Sequence, residues 1–257
     1  NEFETTKTQQ ELVEESLANP YGSSSLEELC AGKKDIVIIS SDHTRPVPSR
    51  VTMPILLHHI HTAAPEARVR ILVATGMHRP STHEELVDKY GEEIVANEEI
   101  VMHVATDDSM MKKIGTLPSG GECIINKIAA DCDLLLAEGF IEPHFFAGFS
   151  GSRKSVLPGI ASYKTIMYNH NGQFVNDSHS RAGNLCHNHV SEDMFAAAEM
   201  AHLAFVLNVV LNGKTIGDFA IFDVSVFRCF YYPHPNHLCR SVKSVGGSLF
   251  AWLVHLR

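Results

Sequence analysis

Long apolar runs, paired cysteines and a surplus of basic charge are all missing from this 257-residue chain. No apolar run approaches the roughly 18 residues that a membrane span needs, and no leader peptide opens the sequence, so neither a membrane helix nor secretion is predicted. The six cysteines (Cys30, Cys123, Cys132, Cys186, Cys229 and Cys239) contain no C-x-x-C pair. Without framework spacing they read as reduced thiols of a cytoplasmic protein. Thirty acidic residues against 21 basic ones leave a formal charge of −9, which argues against a nucleic-acid partner. No H-E-x-x-H occurs, so a zinc hydrolase has no support. With 44% hydrophobic and 20% charged residues, the composition is that of a globular protein with one large domain, or one domain and part of another.

What is present is a repeated alternation of strand, loop and helix. Residues 1–34 read as a helical lead-in: Leu12, Val13 and Leu17 recur at helical spacing within 5–18, and residues 25–31 form a second short helix that stops at Gly32. Asp35-Ile36-Val37-Ile38-Ile39-Ser40 is a continuous β-branched run, suited to a parallel sheet covered on both faces. A proline-stiffened turn, Ser41-Asp42-His43-Thr44-Arg45-Pro46-Val47-Pro48, leads to a helix over 49–62. His58, His59 and His61 on that helix are one and two residues apart, a spacing that does not share a helical face and so gives little support to a metal site.

A second strand over 68–75 ends in Gly76-Met77-His78-Arg79-Pro80, and Ser81-Thr82-His83-Glu84 matches a capping box for a helix reaching about Ala96. A third strand is predicted over 100–105, a helix over 122–130, and a buried strand from Leu134. Farther on come a short helix through Thr165, a helix capped by Ser191-Glu192-Asp193, and a hairpin of 205–211 with 215–219 about Asn212-Gly213. The alternation predicts an α/β fold over 35–220, a mostly parallel, Rossmann-like sheet with helices on both faces. Residues 221–257 change character: they hold one acid, Asp223, the only tryptophan, Trp252, and Tyr231-Tyr232. They are read as an atypical tail.

Chemistry concentrates in Gly139 to Ser155, where a histidine beside a proline, two phenylalanines, spaced glycines and Arg153-Lys154 follow the fourth strand. Glycines let backbone N–H groups approach a ligand and form an anion-binding concavity, and a lysine there serves as a phosphate contact or a nucleophilic amine. Gly148 to Ser155 has the length of a P-loop, but Arg153 stands where the second glycine belongs. A nucleotide-binding α/β protein is therefore one reading of the chain. In an open α/β sheet the loops after the strands share one edge, where ligands bind. Asp42, Arg45, His78, His144 and Lys154 are thus expected around one pocket, with the two histidines suited to proton transfer.

Four segments carry a more specific signal: Ser41-Asp42-His43-Thr44-Arg45-Pro46, Thr75-Gly76-Met77-His78-Arg79, the run from Glu142 to Gly159, and Asn169-His170. In this order they resemble the amino-terminal domain of the nickel-dependent lactate racemase family, over about Asn19 to Ala220. The resemblance implies racemisation of a 2-hydroxy acid, lactate or a relative, by proton-coupled hydride transfer to a nickel-pincer nucleotide. That cofactor is a pyridinium mononucleotide holding Ni(II) through sulfur, carbon and sulfur. It also implies that Lys154 tethers the cofactor and His170 ligates the nickel. His78 and His144 would be the acid/base pair, and Asp42, His43, Thr44 and Arg45 would form a loop at the cofactor. Cofactor-synthesis enzymes are implied as partners. Members of that family continue into a second domain that closes over the site, so a truncated chain is expected, and a non-catalytic cofactor-binding remnant is the third reading.

Overall fold

A computed structural model describes residues 7–211 and, as backbone, 219–224. The Asn212-Gly213 turn and all of the predicted tail beyond 224 lie outside the described residues. In chain order the elements are α1 (Gln9–Ala18), α2 (Leu26–Cys30), β1 (Asp35–Ser41), α3 (Ser49–Ala63), β2 (Arg68–Ala74), α4 (His83–Tyr90), α5 (Glu92–Asn97) and β3 (Glu99–Met102). There follow β4 (Met111–Thr116), β5 (Glu122–Asn126), α6 (Lys127–Asp131), β6 (Leu134–Phe140), β7 (Pro143–His144) and β8 (Gly148–Phe149). The last are α7 (Tyr163–Asn169), α8 (Gly172–Val175), α9 (His189–Met200), β9 (Leu203–Leu211) and β10 (Phe219–Val224).

The main sheet runs β10-β9-β6-β1-β2-β3. All its pairs are parallel except β9 with β10 at the edge. This is the doubly wound order in which the chain leaves the centre in both directions, so the switch point lies between β1 and β6. Ile36, Ile38, Ile71 and Leu136 face one core, under α1 to α5, while Val37, Ile39, Leu72 and Ala137 face the other, under β4–β5, α7 and α9. Strand periodicity of two makes that division, and burying each of the isoleucine, leucine and valine side chains contributes roughly 1.5–3 kcal/mol. Both faces are closed, which is why the centres of β1 and β6, Ile36 to Ile39 and Leu134 to Ala137, are wholly apolar.

Several local expectations change. Residues 122–130 are not one helix: β5 pairs antiparallel with β4 and only then does α6 begin. Isoleucines at 124, 125 and 128 fit either period, and the neighbouring β4 decides it. The helix to Ala96 is broken at Gly91, whose φ of 91° ends α4 before α5 starts. The capping box is set one residue along, with Thr82 and Glu85 exchanging hydrogen bonds. Likewise α9 starts earlier than expected, at an Asn188 cap. Asp193 is then a buried interior residue that accepts from Ser119 N and Oγ and from Asn169 Nδ2. The third strand ends at Met102, and the helix placed before Thr165 begins at Tyr163 behind a Ser162 cap.

Candidate active site

Three strands end at one edge, and their loops are laced together. Gly76 N donates to Gly159 O at 2.9 Å, joining the loop after β2 to the end of the long loop after β6. That loop folds on itself through the short β7–β8 pair and through Ser150, whose hydroxyl donates to Phe140 O and accepts from Glu142 N. Gly148 and Gly151 make the reversal possible at φ of 79° and 77°, a region open to glycine. The result is a cavity of about 260 Å³ at the switch point. Asp42, Arg45, His78, His144, Lys154 and His170 all line it. Of the site residues expected from sequence, His43 and Thr44 do not. His43 Nδ1 lies 3.0 Å from Ser81 Oγ and 3.7 Å from Glu85. Thr44 supports from behind, donating Oγ1–H to Asp42 at 2.6 Å.

Asp42 is buried at the end of β1, and its second oxygen sits 2.6 Å from His78 Nδ1. Burial pushes the Asp42 carboxyl up, but hydrogen bonds from Thr44 and His78 outweigh it and hold its pKa below the ordinary value. A carboxylate can only accept, so His78 Nδ1 carries a proton toward Asp42, and in the neutral ring the lone pair is on Nε2.

On the loop after β6, His144 stacks on Phe145 with centroids 4.7 Å apart and meets the edge of Phe146 at 4.6 Å. Its Nδ1 accepts from Ala147 N at 3.3 Å, which leaves the resting proton on Nε2. Burial, reinforced by Lys154, His170 and Arg45, lowers the His144 pKa to about 3. His170 ends α7, and its Nδ1 is buried with no hydrogen-bond partner. Burial and the neighbouring Lys154 lower its pKa to about 4, so the ring is neutral at pH 7. Lys154 is brought to about 7 by burial, with Arg153 and Arg45 adding to the shift. A half-deprotonated amine facing a cavity is a nucleophile.

Arg153 disposes of the P-loop geometry. Its buried guanidinium donates to Ala147 O and Phe149 O and lies over the Phe195 ring, so a bulky side chain committed to its own loop stands where a P-loop has glycine. The loop enters a 3-10 turn, Ser152–Ser155, with no long helix behind it. The histidines of α3 also part company: His59 pairs with Glu14 and Glu27, while His61 pairs with Glu98. Among the described residues no cluster of three metal-ligating side chains occurs, and no helix is long and apolar enough to cross a membrane. The thiols of Cys30, Cys123 and Cys132 are pushed up to about 11, 12 and 12 by burial, which makes them unreactive. Sequence reasoning passed over Glu138, a cavity-lining carboxylate on β6. Its signal was present: an acid within the apolar run Leu134-Leu135-Leu136-Ala137-Glu138.

A family model for the lactate racemase N-terminal domain matches residues 1–183. Lactate racemase of Lactiplantibacillus plantarum is 69% identical over 215 residues, which is 83% of this chain and 51% of that protein. Lactate racemase of Thermoanaerobacterium thermosaccharolyticum is 50% identical over 220 residues, 85% of this chain and 52% of that one. The solved apoprotein of the latter matches with a TM-score of 0.81 over 83% of this chain and 51% of that chain. A Thermotoga maritima protein at 22% identity shares the fold, with a TM-score of 0.69 over 85% of this chain and 55% of its own. The chain spans about half the length of the curated relatives it matches. With the racemase motifs gathered at one sheet edge and the family model covering most of its length, this chain belongs to the lactate racemase family.

Proposed function

We propose that this chain forms the cofactor-holding domain of a racemase acting on lactate or a related 2-hydroxy acid. One observation carries the reading: loops from β1, β2 and β6 and the end of α7 bring Asp42, His78, His144, Lys154 and His170 to a single cavity. The donor set suits a nickel-pincer nucleotide. Lys154 has the depressed basicity needed to form an amide-type tether, and the neutral His170 imidazole, with its unpartnered Nδ1, is a reasonable ligand for Ni(II). When bound, that cofactor supplies a pyridinium ring able to take up and return the C2 hydride.

The protein supplies protons and position. His78, held by Asp42, presents its Nε2 lone pair to receive the substrate hydroxyl proton. His144, neutral with Nδ1 accepting from Ala147 N, presents its Nε2–H as a hydrogen-bond donor and gives up a proton only from its imidazolium form. Whichever imidazole takes the hydroxyl proton becomes an imidazolium able to return a proton to oxygen, so the proton count is unchanged over a turnover. Arg45 and the electropositive environment of Lys154 and Arg153 draw in anionic groups of cofactor and substrate. Phe145, 74% exposed, and Met77, 49% exposed, form an apolar rim that a covering domain would bury and so exclude water.

Expression together with the cofactor-synthesis enzymes, followed by metal analysis and intact mass, tests this. Stoichiometric nickel and a covalent adduct on Lys154 are expected, with racemisation lost in both directions in His78→Ala and in His144→Ala. Full activity with an unmodified Lys154 would overturn the tether, and a near-normal rate in either histidine variant would overturn the paired roles.

A further inference from the structure

Glu138 is 1% exposed, lies on β6 at the switch point and lines the cavity. One oxygen accepts from Ser40 Oγ at 2.6 Å and from Ser49 Oγ at 2.5 Å, and the other accepts from Thr52 Oγ1 at 2.5 Å. Tyr90, fully enclosed, extends the set by donating its hydroxyl to Ser40 Oγ at 2.7 Å. A buried carboxylate is costly unless its lone pairs are filled, and an apolar side chain of that size would suit a strand core better. The arrangement needs a reason beyond packing.

The positions of the donors give one. Ser40 stands at the end of β1, and Ser49 and Thr52 belong to the first turn of α3. Between them runs the turn that carries Asp42, Thr44 and Arg45. Glu138 thus grips both ends of that turn from a different strand. The N-terminus of α3 has Pro48 at its cap and no side-chain cap hydrogen bond, so a carboxylate against that first turn also suits the helix dipole. We propose that Glu138 is a positioning residue: by tying β1 to α3 across the 41–48 turn it fixes Asp42, and through Asp42 the orientation of His78. The inference rests on the proposed function only in treating Asp42 and His78 as working groups, and its test reads those groups without turnover.

The amide in Glu138→Gln keeps the shape but has one acceptor oxygen for three hydroxyls. In the intact protein, carbon-13 NMR follows the Asp42 carboxyl titration, and proton NMR follows solvent exchange of the His78 Nδ1–H. In Glu138→Gln the Asp42 midpoint is expected to rise toward that of an ordinary carboxylate. The Nδ1–H is expected to exchange at least about tenfold faster, as for a locally loosened contact. Ser49→Ala removes one hydroxyl and leaves the carboxylate, and a smaller shift in the same direction is expected. A role in stability alone would lower the melting temperature of both variants and leave Asp42 and His78 unmoved. That result in folded Glu138→Gln overturns the proposal. If Glu138→Gln does not fold, an unchanged Asp42 titration in Ser49→Ala overturns it instead. Nickel loading and racemisation are measured separately, so loss of the racemase reading leaves this outcome interpretable.

Discussion

Lys154 provides the sharpest test of the site, because its chemistry depends on its surroundings and is independent of any bound group. Burial lowers its pKa to about 7 from the ordinary lysine value, helped by Arg153 and Arg45 and opposed by Glu142. At pH 7 a lysine of ordinary basicity is neutral to only about 0.03%, whereas one titrating near 7 is about half neutral, on the order of a thousandfold more free amine. Part of that advantage is lost because a less basic amine is a weaker nucleophile. The titration midpoint is therefore a firmer observable than the rate. Competitive acetylation of the cofactor-free protein across pH 5–11, with peptide mass spectrometry, should give Lys154 a midpoint near 7 while exposed lysines keep one near 10. Arg45→Gln removes a nearby cation and should move the midpoint up. A Lys154 midpoint that coincides with the exposed lysines would refute the claim that the cavity activates this amine.

Three further outcomes follow from the packing. Burial lowers the pKa of His103 to about 4 from 6.5, while its Nε2 lies 3.0 Å from Ala161 O and Asn126 Nδ2 donates to its Nδ1. The unfolded state binds the proton first, so stability is complete above pH ~6.5 and falls as pH drops toward ~4, by roughly 2–3 kcal/mol from this residue. His103→Gln should flatten that acid limb in denaturant titrations, and an unchanged limb would count against it. Gly148→Ala would set a Cβ 2.5 Å from Asn184 O at a φ of 79°. It should cost about 2–4 kcal/mol, and thermal unfolding with an unshifted midpoint would show that the loop is less constrained than described. Asp193→Ala strands three donors, Ser119 N, Ser119 Oγ and Asn169 Nδ2. A loss of roughly 2–4 kcal/mol is expected in urea unfolding, and a loss within error of zero would refute the stabilising role of these hydrogen bonds.

Local pattern was enough to find the parallel strands and the loops that follow them. Ile36 to Ile39 and Leu134 to Ala137 are runs that only a sheet closed on both faces accommodates. Asp42, His78, His144 and Lys154 sit on the loops that follow β1, β2 and β6, so sequence order together with strand polarity sends them to one edge. Neighbours decided what short-range signals left ambiguous. Residues 122–126 pair with β4 rather than coil into a helix, because β4 lies beside them. Asp193 serves the end of α7 rather than capping its own helix, because the chain enters α9 at Asn188.

The sequence by itself therefore determined the sheet, its polarity and the set of residues delivered to its carboxyl edge, because strand periodicity and turn chemistry act over a few residues. Only the tertiary structure decided which of those side chains reach the cavity. It withdrew His43 to Ser81, turned Arg153 inward onto carbonyls of its own loop, seated Glu138 between β1 and α3, and desolvated Lys154. Each of these rests on burial or on a partner tens of residues away, and desolvation and long-range hydrogen bonding exist only once the chain has closed around them.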